Sequence, residues 1–173
     1  GFFSGIKSTV PSMYSLAENY YRSQNLMDYR LVSTVGFDED DLQAVKNTDG
    51  VKDVMPSYFC DAIISEQSGG EVVRVIAVPK AYKDNDELNT LTLKEGRLPE
   101  KENEILVEYS GIKGGKYKIG DKIVFQKESG NTDLSEQLKT LEFTIVGKVD
   151  SPLYISYQRG TTNIGDGSIT EFM

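Results

Sequence analysis

The sequence predicts an α+β fold, with a mixed part in the order helix, strand, helix, strand, strand, followed by a β-rich part. Three observations lead to this prediction. Apolar residues near the start of the chain recur at steps of three and four, which is typical of an amphipathic helix. Short apolar runs bounded by turn residues follow, as expected for strands. From about residue 80 the composition becomes more polar, and short apolar runs alternate with glycine-rich loops.

The first predicted helix covers residues 1–27. Its apolar face is formed by Phe3, Ile6, Val10, Met13, Leu16 and Tyr20. Because proline disfavours a helix interior, Pro11 predicts a bend or break at residues 8–11, with a firmer helix over 11–24. The apolar face has two interpretations. In the first, this face packs on the core of the domain. In the second, the helix continues a membrane span that lies upstream. The periodicity alone does not distinguish the two interpretations.

The next elements are a strand over residues 28–35 and a short helix. The strand is rich in Leu, Val, Tyr and Thr. Asp38 is predicted as the N-cap of the helix, because Asp41 lies three residues further on, as in a capping box. The helix is expected to run to about Asn47 and to be ended by Gly50.

Strands are then predicted on both sides of a glycine turn. The first occupies residues 51–65 and is bent or at a sheet edge at Pro56, and the second runs from Glu71 to Val78. Short strands follow at 104–109, 122–127 and 141–149, with at most one short helix among them. Residues 157–167 are predicted to form a loop.

The composition excludes several classes of protein. The chain has 173 residues, a net charge of −8 and no apolar run that approaches the roughly 18 residues of a membrane-spanning helix. An acidic chain is poorly suited to bind nucleic acid or anionic lipid. The start lacks the basic and apolar regions of a secretory signal. Because the chain begins at Gly1 without a methionine, we expect it to be an excised piece of a longer protein.

No part of the sequence predicts a catalytic, cofactor-binding or metal site. The chain has no histidine, and its single cysteine, Cys60, lies in an apolar run, as expected for a buried structural thiol. The acidic run Asp38–Asp41 is expected to serve the helix N-terminus. The segment Gly111–Lys116 lacks the Gly-Lys-Ser/Thr ending of a phosphate loop. Asp84, Asp86 and Glu87 are expected to belong to a solvated loop.

Five short motifs resemble one known family. They are Gly1-Phe2-Phe3-Ser4-Gly5-Ile6, Asn25-Leu26-Met27-Asp28-Tyr29-Arg30, Glu95-Gly96-Arg97-Leu98-Pro99, Ile119-Gly120-Asp121-Lys122-Ile123 and Ser151-Pro152-Leu153-Tyr154-Ile155-Ser156. In this order they resemble the extracytoplasmic core domain of ABC-transporter permeases of the MacB/FtsX-like type. Each motif is weak alone, and the resemblance depends on their order and spacing from Gly1 to about Ser156.

The resemblance implies a mixed α/β lobe with an inserted β-rich lobe. Residues 1–80 would begin the first lobe, residues 81–150 would form the insert, and residues 151–173 would return toward the first lobe. It also implies a non-catalytic domain on the extracytoplasmic side of the cell membrane, with no cofactor. Its partners would be the permease's own transmembrane helices and a cytoplasmic ATPase, and whether the permease dimerises stays open.

Two other classes of function remain open from the sequence. One is a stand-alone extracellular ligand-binding or sensor domain, for which a deep apolar pocket with convergent polar groups is expected. The other is a hydrolase, for which a carboxylate pair or a Ser–Lys pair in one cleft is expected.

Overall fold

The computed structural model describes residues 2–65, 70–78, 88–109, 116–130, 132–153, 162, 164 and 170–172. The helices among them are α1 (Phe2–Ser23), α2 (Glu39–Lys46) and a 3-10 turn (Leu134–Glu136). The strands are β1 (Phe59–Ile63), β2 (Val72–Ile76), β3 (Thr92–Gly96), β4 (Glu104–Glu108), β5 (Lys122–Val124), β6 (Glu128–Ser129), β7 (Thr132–Asp133), β8 (Glu142–Asp150) and β9 (Thr170–Phe172). The predicted α+β class is confirmed.

Most of the described strands form one mixed sheet in the order β1-β2-β9-β4-β8-β3, and β5 pairs with β8 beside this path. The hairpin of β1 and β2 is antiparallel, whereas β2 with β9 and β4 with β8 are parallel pairs. Strand β8 pairs with β3, β4 and β5. It is the longest described strand, and most of its residues are buried, so it organises this sheet.

The core lies on β1, β2, β4, β5 and β8. Large side chains that are almost fully buried include Val73, Val107, Phe125, Leu134 and Ile145. The rings of Phe125 and Phe143 pack at a centroid distance of 5.5 Å. The apolar runs of the sequence predicted these strands because strands buried in a sheet read as continuous apolar segments.

The chain divides into two compact units. One comprises residues 1–56 and 81–90, and the other comprises residues 57–80 and 91–173. The division into 1–80, 81–150 and 151–173 that the resemblance implies has other boundaries and stays a prediction. None of the helices among the described residues is long and apolar enough to cross a membrane.

Three predictions about the first 65 residues are wrong. The helix α1 is uninterrupted through Pro11, so the predicted break at residues 8–11 is wrong, whereas a bend there stays a prediction. Residues 28–35 form no strand, because no described segment pairs with them. The predicted strand 51–65 is formed only at Phe59–Ile63, since Pro56 has no N–H to contribute to a ladder.

Four short strands among the described residues were not predicted: β3, β6, β7 and β9. The residues of β3 are mostly exposed and include Lys94 and Glu95, so they lack an apolar pattern. They become a strand by pairing with β8. Strand β9 follows the predicted loop 157–167, of which only residues 162 and 164 are described.

Candidate functional site

The structure describes every side chain from Met13 to Phe59, and none of them is buried. This stretch carries many exposed large apolar side chains: Met13, Tyr14, Leu16, Tyr20, Tyr29, Leu31, Val32, Val35, Phe37, Val51, Tyr58 and Phe59. In a globular protein, apolar side chains that form one contiguous exposed patch commonly mark a binding site. For Met13 and Leu16, which are 63% and 70% exposed, packing on the core of this domain is therefore the wrong interpretation.

The densest part of this surface is residues 29–35. Tyr29 is 89% exposed and Val35 is 96% exposed. Within the described residues, the backbone groups of residues 31–34 make no hydrogen bond. The N–H of Val35 donates to Ser33 Oγ at 3.3 Å, beside a bend at Thr34 and Val35. No described strand therefore pairs with this strand-forming sequence.

A second feature joins the end of α1 to residues 89–90. The N–H of Asn89 donates to the carbonyl of Asn25 at 2.8 Å, and that of Thr90 donates to the carbonyl of Gln24 at 2.8 Å. The N–H of Met27 donates to Asn89 Oδ1 at 3.1 Å. We call these contacts the asparagine clasp.

The asparagine clasp requires an unusual backbone. Asn25 and Asn89 both have positive φ, at 47° and 56°, which asparagine tolerates better than most residues. Asn89 is only 5% exposed, so its hydrogen bonds are shielded from water. The clasp was missed by the sequence analysis. The only local signal is the residue type, because its partners lie 62 positions apart.

The acidic run at Asp38–Asp41 begins α2, as the sequence predicts. Asp38 Oδ1 accepts from the N–H of Asp41 at 2.8 Å, and Asp41 Oδ2 accepts from the N–H of Asp38 at 3.2 Å. This reciprocal pair is a capping box. Asn47, rather than Gly50, caps the other end of the helix.

One ion pair crosses the hairpin of β1 and β2. Arg74 binds Asp61 through two hydrogen bonds of 2.7 and 3.0 Å, and both side chains are about 85% shielded from water. The guanidinium also lies 4.9 Å from the centre of the Phe59 ring. Burial opposes ionisation of Asp61, but hydrogen bonds from Arg74 and Thr162 bring its pKa below the ordinary value.

Cys60, next to this pair, is free and half-buried. Its burial, followed by the charge of Asp61, raises the pKa of the thiol to about 11. The thiol is therefore protonated near neutral pH, which agrees with the structural role predicted from the sequence.

A second ion pair holds the turn that follows β3. The Arg97 guanidinium donates to both carboxylate oxygens of Glu104, at 2.6 and 2.7 Å. The same carboxylate accepts from the backbone N–H groups of Glu100 and Lys101. The hydrogen bonds from Arg97, followed by that from the Glu100 N–H, lower the pKa of Glu104 from its ordinary 4.5 to about 2.

Glu104 is therefore expected to make stability depend on pH. A carboxylate with a lowered pKa stabilises the fold above its unfolded pKa, and this contribution is lost as pH falls through the folded value. The free energy of unfolding should thus decrease between about pH 4.5 and pH 2. In Glu104→Gln this decrease should be smaller, and the protein should be less stable at pH 7, as measured by urea denaturation at several pH values.

The matched control is Glu142→Gln. Glu142 pairs with Lys122 at 2.8 Å, but both side chains are more than half exposed, so removing this charge should change stability little. If Glu104→Gln and Glu142→Gln had the same pH profile, the special role of Glu104 would be refuted.

The structure also has an open cleft of about 370 Å³ beside β5. It is lined by Ile64, Ser65, Lys116, Tyr117, Asp121, Lys122, Ile123 and Val124. Glu71 Oε2 accepts from Lys116 Nζ at 2.6 Å and from the Tyr117 hydroxyl at 2.7 Å. Burial and this contact with Glu71 raise the pKa of Tyr117.

The charged groups of this cleft are already engaged. Lys116 pairs with Glu71, Lys122 pairs with Glu142, and Asp121 accepts from the N–H of Lys118 at 2.8 Å. The cleft is open and has a mixed polar and apolar lining, so it lacks the deep apolar form expected of a stand-alone sensor domain.

The structure does not describe several of the other candidate residues considered from the sequence. Asp84, Asp86, Glu87 and residues 111–115 lie outside the described residues. Among the residues that are described, no group of three or more His, Cys, Asp or Glu side chains could hold a metal ion. The prediction that the chain has no catalytic, cofactor-binding or metal residues stays a prediction.

Comparisons with known proteins identify no family. No family model matches the chain, and no curated protein matches its sequence. Among solved structures, the chain is similar to the extracellular domain of the noncanonic ABC-type transporter YknZ from Gram-positive bacteria, at 13% identity and a TM-score of 0.43. The match covers 81% of this chain and 64% of that one. A similarity this low does not establish a shared function.

Proposed function

We propose that this chain is a non-catalytic extracytoplasmic domain of an ABC transporter permease of the MacB/FtsX-like type. It transmits ATP-driven conformational change and docks substrate or partner proteins during export or cell-envelope signalling. Its partners are the permease's own transmembrane helices and a cytoplasmic ATPase. The YknZ domain is likewise an extracellular domain of an ABC-type transporter, but the proposal does not rest on that similarity.

The asparagine clasp is the observation that carries the proposal. Helix α1 has 22 residues and is therefore roughly 33 Å long. Its C-terminal end is bound to Asn89 and Thr90 by the clasp. The chain then enters β3 at Thr92, and β3 pairs with β8. A displacement of α1 can therefore be passed through the hydrogen bonds of the clasp to residues 89–90, along the chain to β3, and from β3 to its partner strand β8.

The exposure of α1 and of the following residues supports the docking part of the proposal. Among the described residues, helices α1 and α2 do not pack extensively against each other. The apolar side chains from Met13 to Phe37 therefore remain accessible to a partner.

The first test concerns the parent gene product. The proposal predicts a long apolar segment before Gly1, further membrane spans after Met173 and a neighbouring gene for an ATPase. A cleavable signal or lipid anchor without later membrane spans would contradict it. That result would instead support the alternative, a stand-alone extracellular ligand-binding or sensor domain.

The second test is the variant Asn89→Ala in the whole transporter. Alanine removes the bond to the Met27 N–H and is strained at positive φ, so the clasp should lose on the order of 1–3 kcal/mol. Nitroxide labels at Ser15→Cys and Lys139→Cys, in a Cys60→Ala background, report the distance between α1 and the sheet. We expect a distance change on ATP addition in the parent that is reduced in Asn89→Ala.

The control for this variant is Asn103→Ala, the same change at an exposed turn residue. It should preserve the ATP-dependent change. Equal responses in Asn89→Ala and Asn103→Ala, or no ATP response in the parent, would contradict transmission through the clasp.

A further inference from the structure

We propose that Asp49 is a site of spontaneous covalent modification, at which the Asp49–Gly50 peptide bond isomerises to an isoaspartyl bond through a cyclic succinimide. The reaction requires water and no enzyme or cofactor. Asp49 and Gly50 are the central residues of a turn that follows α2, in which the Thr48 carbonyl accepts from the N–H of Val51 at 3.1 Å. The modification would occur whether or not the chain belongs to a permease.

The isomerisation has two steps, which balance without an oxidant or a reductant. In the first, the amide nitrogen of Gly50 attacks Cγ of the protonated Asp49 carboxyl group. A C–N bond forms, and the proton of the nitrogen leaves with the carboxyl hydroxyl as water. In the second step, water adds to one of the two ring carbonyls. Cleavage of the bond from Cγ to nitrogen restores aspartate, whereas cleavage of the bond from the main-chain carbonyl carbon to nitrogen gives isoaspartate.

The residue after an aspartate controls the first step, because its side chain crowds the attacking nitrogen. Glycine has no Cβ and therefore hinders the attack least. Among the Asp and Asn residues that the structure describes, Asp49 is the one that glycine follows. Gly50 also lies in open space, since even a Cβ added there would have no heavy atom within 4 Å.

The turn leaves both reacting groups accessible. Asp49 and Gly50 are exposed. Within the described part of the chain, the Asp49 carboxyl group makes no hydrogen bond or ion pair, and the Gly50 N–H donates to no acceptor. The N–H groups on either side are engaged, because that of Thr48 donates to the Val45 carbonyl and that of Val51 to the Thr48 carbonyl. No hydrogen bond of either reacting group therefore opposes the attack.

Two other aspartates of the described chain lack this combination. Asp53 is also exposed, but Val54 follows it, and a β-branched side chain crowds the nitrogen. Asp61 is followed by the fully buried Ala62, and its carboxylate is bound by Arg74. Asp49 should therefore react faster than either of them.

The experiment incubates the 173-residue chain at physiological temperature and maps isoaspartate in tryptic peptides. Cleavage after Lys46 and Lys52 releases residues 47–52. Isoaspartate has the same mass as aspartate, so the two forms are separated by chromatography and assigned by electron-transfer fragmentation. We expect isoaspartate to accumulate in residues 47–52 at a rate within about tenfold of that in a synthetic peptide of the same sequence. Residues 53–74, which contain Asp53, should stay unmodified.

Three variants test the roles of the two residues. Asp49→Glu would require a less favourable six-membered ring, so the modification should be at least about tenfold slower. Gly50→Ala crowds the nitrogen and should slow the reaction as well. Its matched control is Gly36→Ala, because Gly36 has the same φ of +88° and equally open surroundings. Val35 precedes Gly36, so this control should leave the rate at Asp49 unchanged.

The rate should also depend on pH. The carboxyl group loses water from its protonated form, and the protonated fraction of an aspartate decreases as pH rises. Isoaspartate should therefore accumulate faster at about pH 5 than at about pH 8. The product has an additional methylene in the main chain, so the hydrogen bond from Val51 to Thr48 should be lost, and amide hydrogen exchange at Val51 should become faster.

Three results would overturn the proposal. The first is a rate in the folded chain that is more than about tenfold below that in the free peptide, which would show that the turn protects Asp49. The second is an equal rate in the parent and in Gly50→Ala. The third is isoaspartate only in residues 160–173, where the second Asp-Gly pair, Asp166–Gly167, lies outside the described residues.

Discussion

Gly96→Ala is expected to destabilise the sheet by about 3–5 kcal/mol, a large part of the roughly 5–15 kcal/mol that stabilises a typical domain. Gly96 has a φ of +78°, and a Cβ there would lie 2.3 Å from the Val146 carbonyl oxygen and 2.9 Å from Gly147 Cα. Both contacts are with backbone atoms, which cannot rotate away. The same carbonyl accepts from the N–H of Arg97 at 3.0 Å, so the turn after β3 would have to move.

The control is Gly120→Ala, which introduces the strain of a positive φ without the steric clash that a Cβ at Gly96 would make with β8. Gly120 has a φ of +94°, but a Cβ there would have no heavy atom within 4 Å. This change should destabilise by only about 1 kcal/mol. Urea denaturation followed by circular dichroism measures both variants. Equal losses in Gly96→Ala and Gly120→Ala would show that the contact with β8 is unimportant.

Phe125→Ala is the second change with a large expected effect, about 3–5 kcal/mol of unfolding free energy. Phe125 is 2% exposed and packs against Phe143 in the main core cluster. Truncation removes buried apolar surface and leaves a cavity that the neighbouring strands can fill only in part. The backbone hydrogen bond from Phe125 to the Leu141 carbonyl is kept, so the loss would report the side chain alone.

The preceding residue, the last of β5, provides the control for this variant. Val124 is 44% exposed, and Val124→Ala should change the free energy of unfolding by less than about 1 kcal/mol. A loss in Phe125→Ala no larger than that in Val124→Ala would mean that the aromatic pair is not part of the stabilising core.

Local sequence was a good guide where an element depends on neighbours in the chain. The capping box at Asp38 and Asp41 forms because its partners are three residues apart. Strands β2, β4 and β8 were predicted because burial in a sheet requires a continuous apolar run. The half-buried, protonated state of Cys60 also agrees with its apolar neighbours.

Local sequence failed where the outcome depends on a distant partner. Residues 28–35 have the composition of a strand, yet no described segment of the chain pairs with them. Residues 92–96 are mostly polar, yet β8 makes them a strand. A strand is completed by hydrogen bonds to another segment, and composition does not reveal whether that segment is present.

The sequence by itself determined the α+β class, the start of α2 and the buried strands, because propensity, capping and apolar periodicity act within a few residues. Only the tertiary structure decided that the apolar face of α1 is exposed at Met13 and Leu16, that residues 28–35 pair with no described strand, and that Asn25 and Asn89 bind each other. The physical reason is that burial and backbone pairing depend on segments far apart in the chain, which no local pattern specifies.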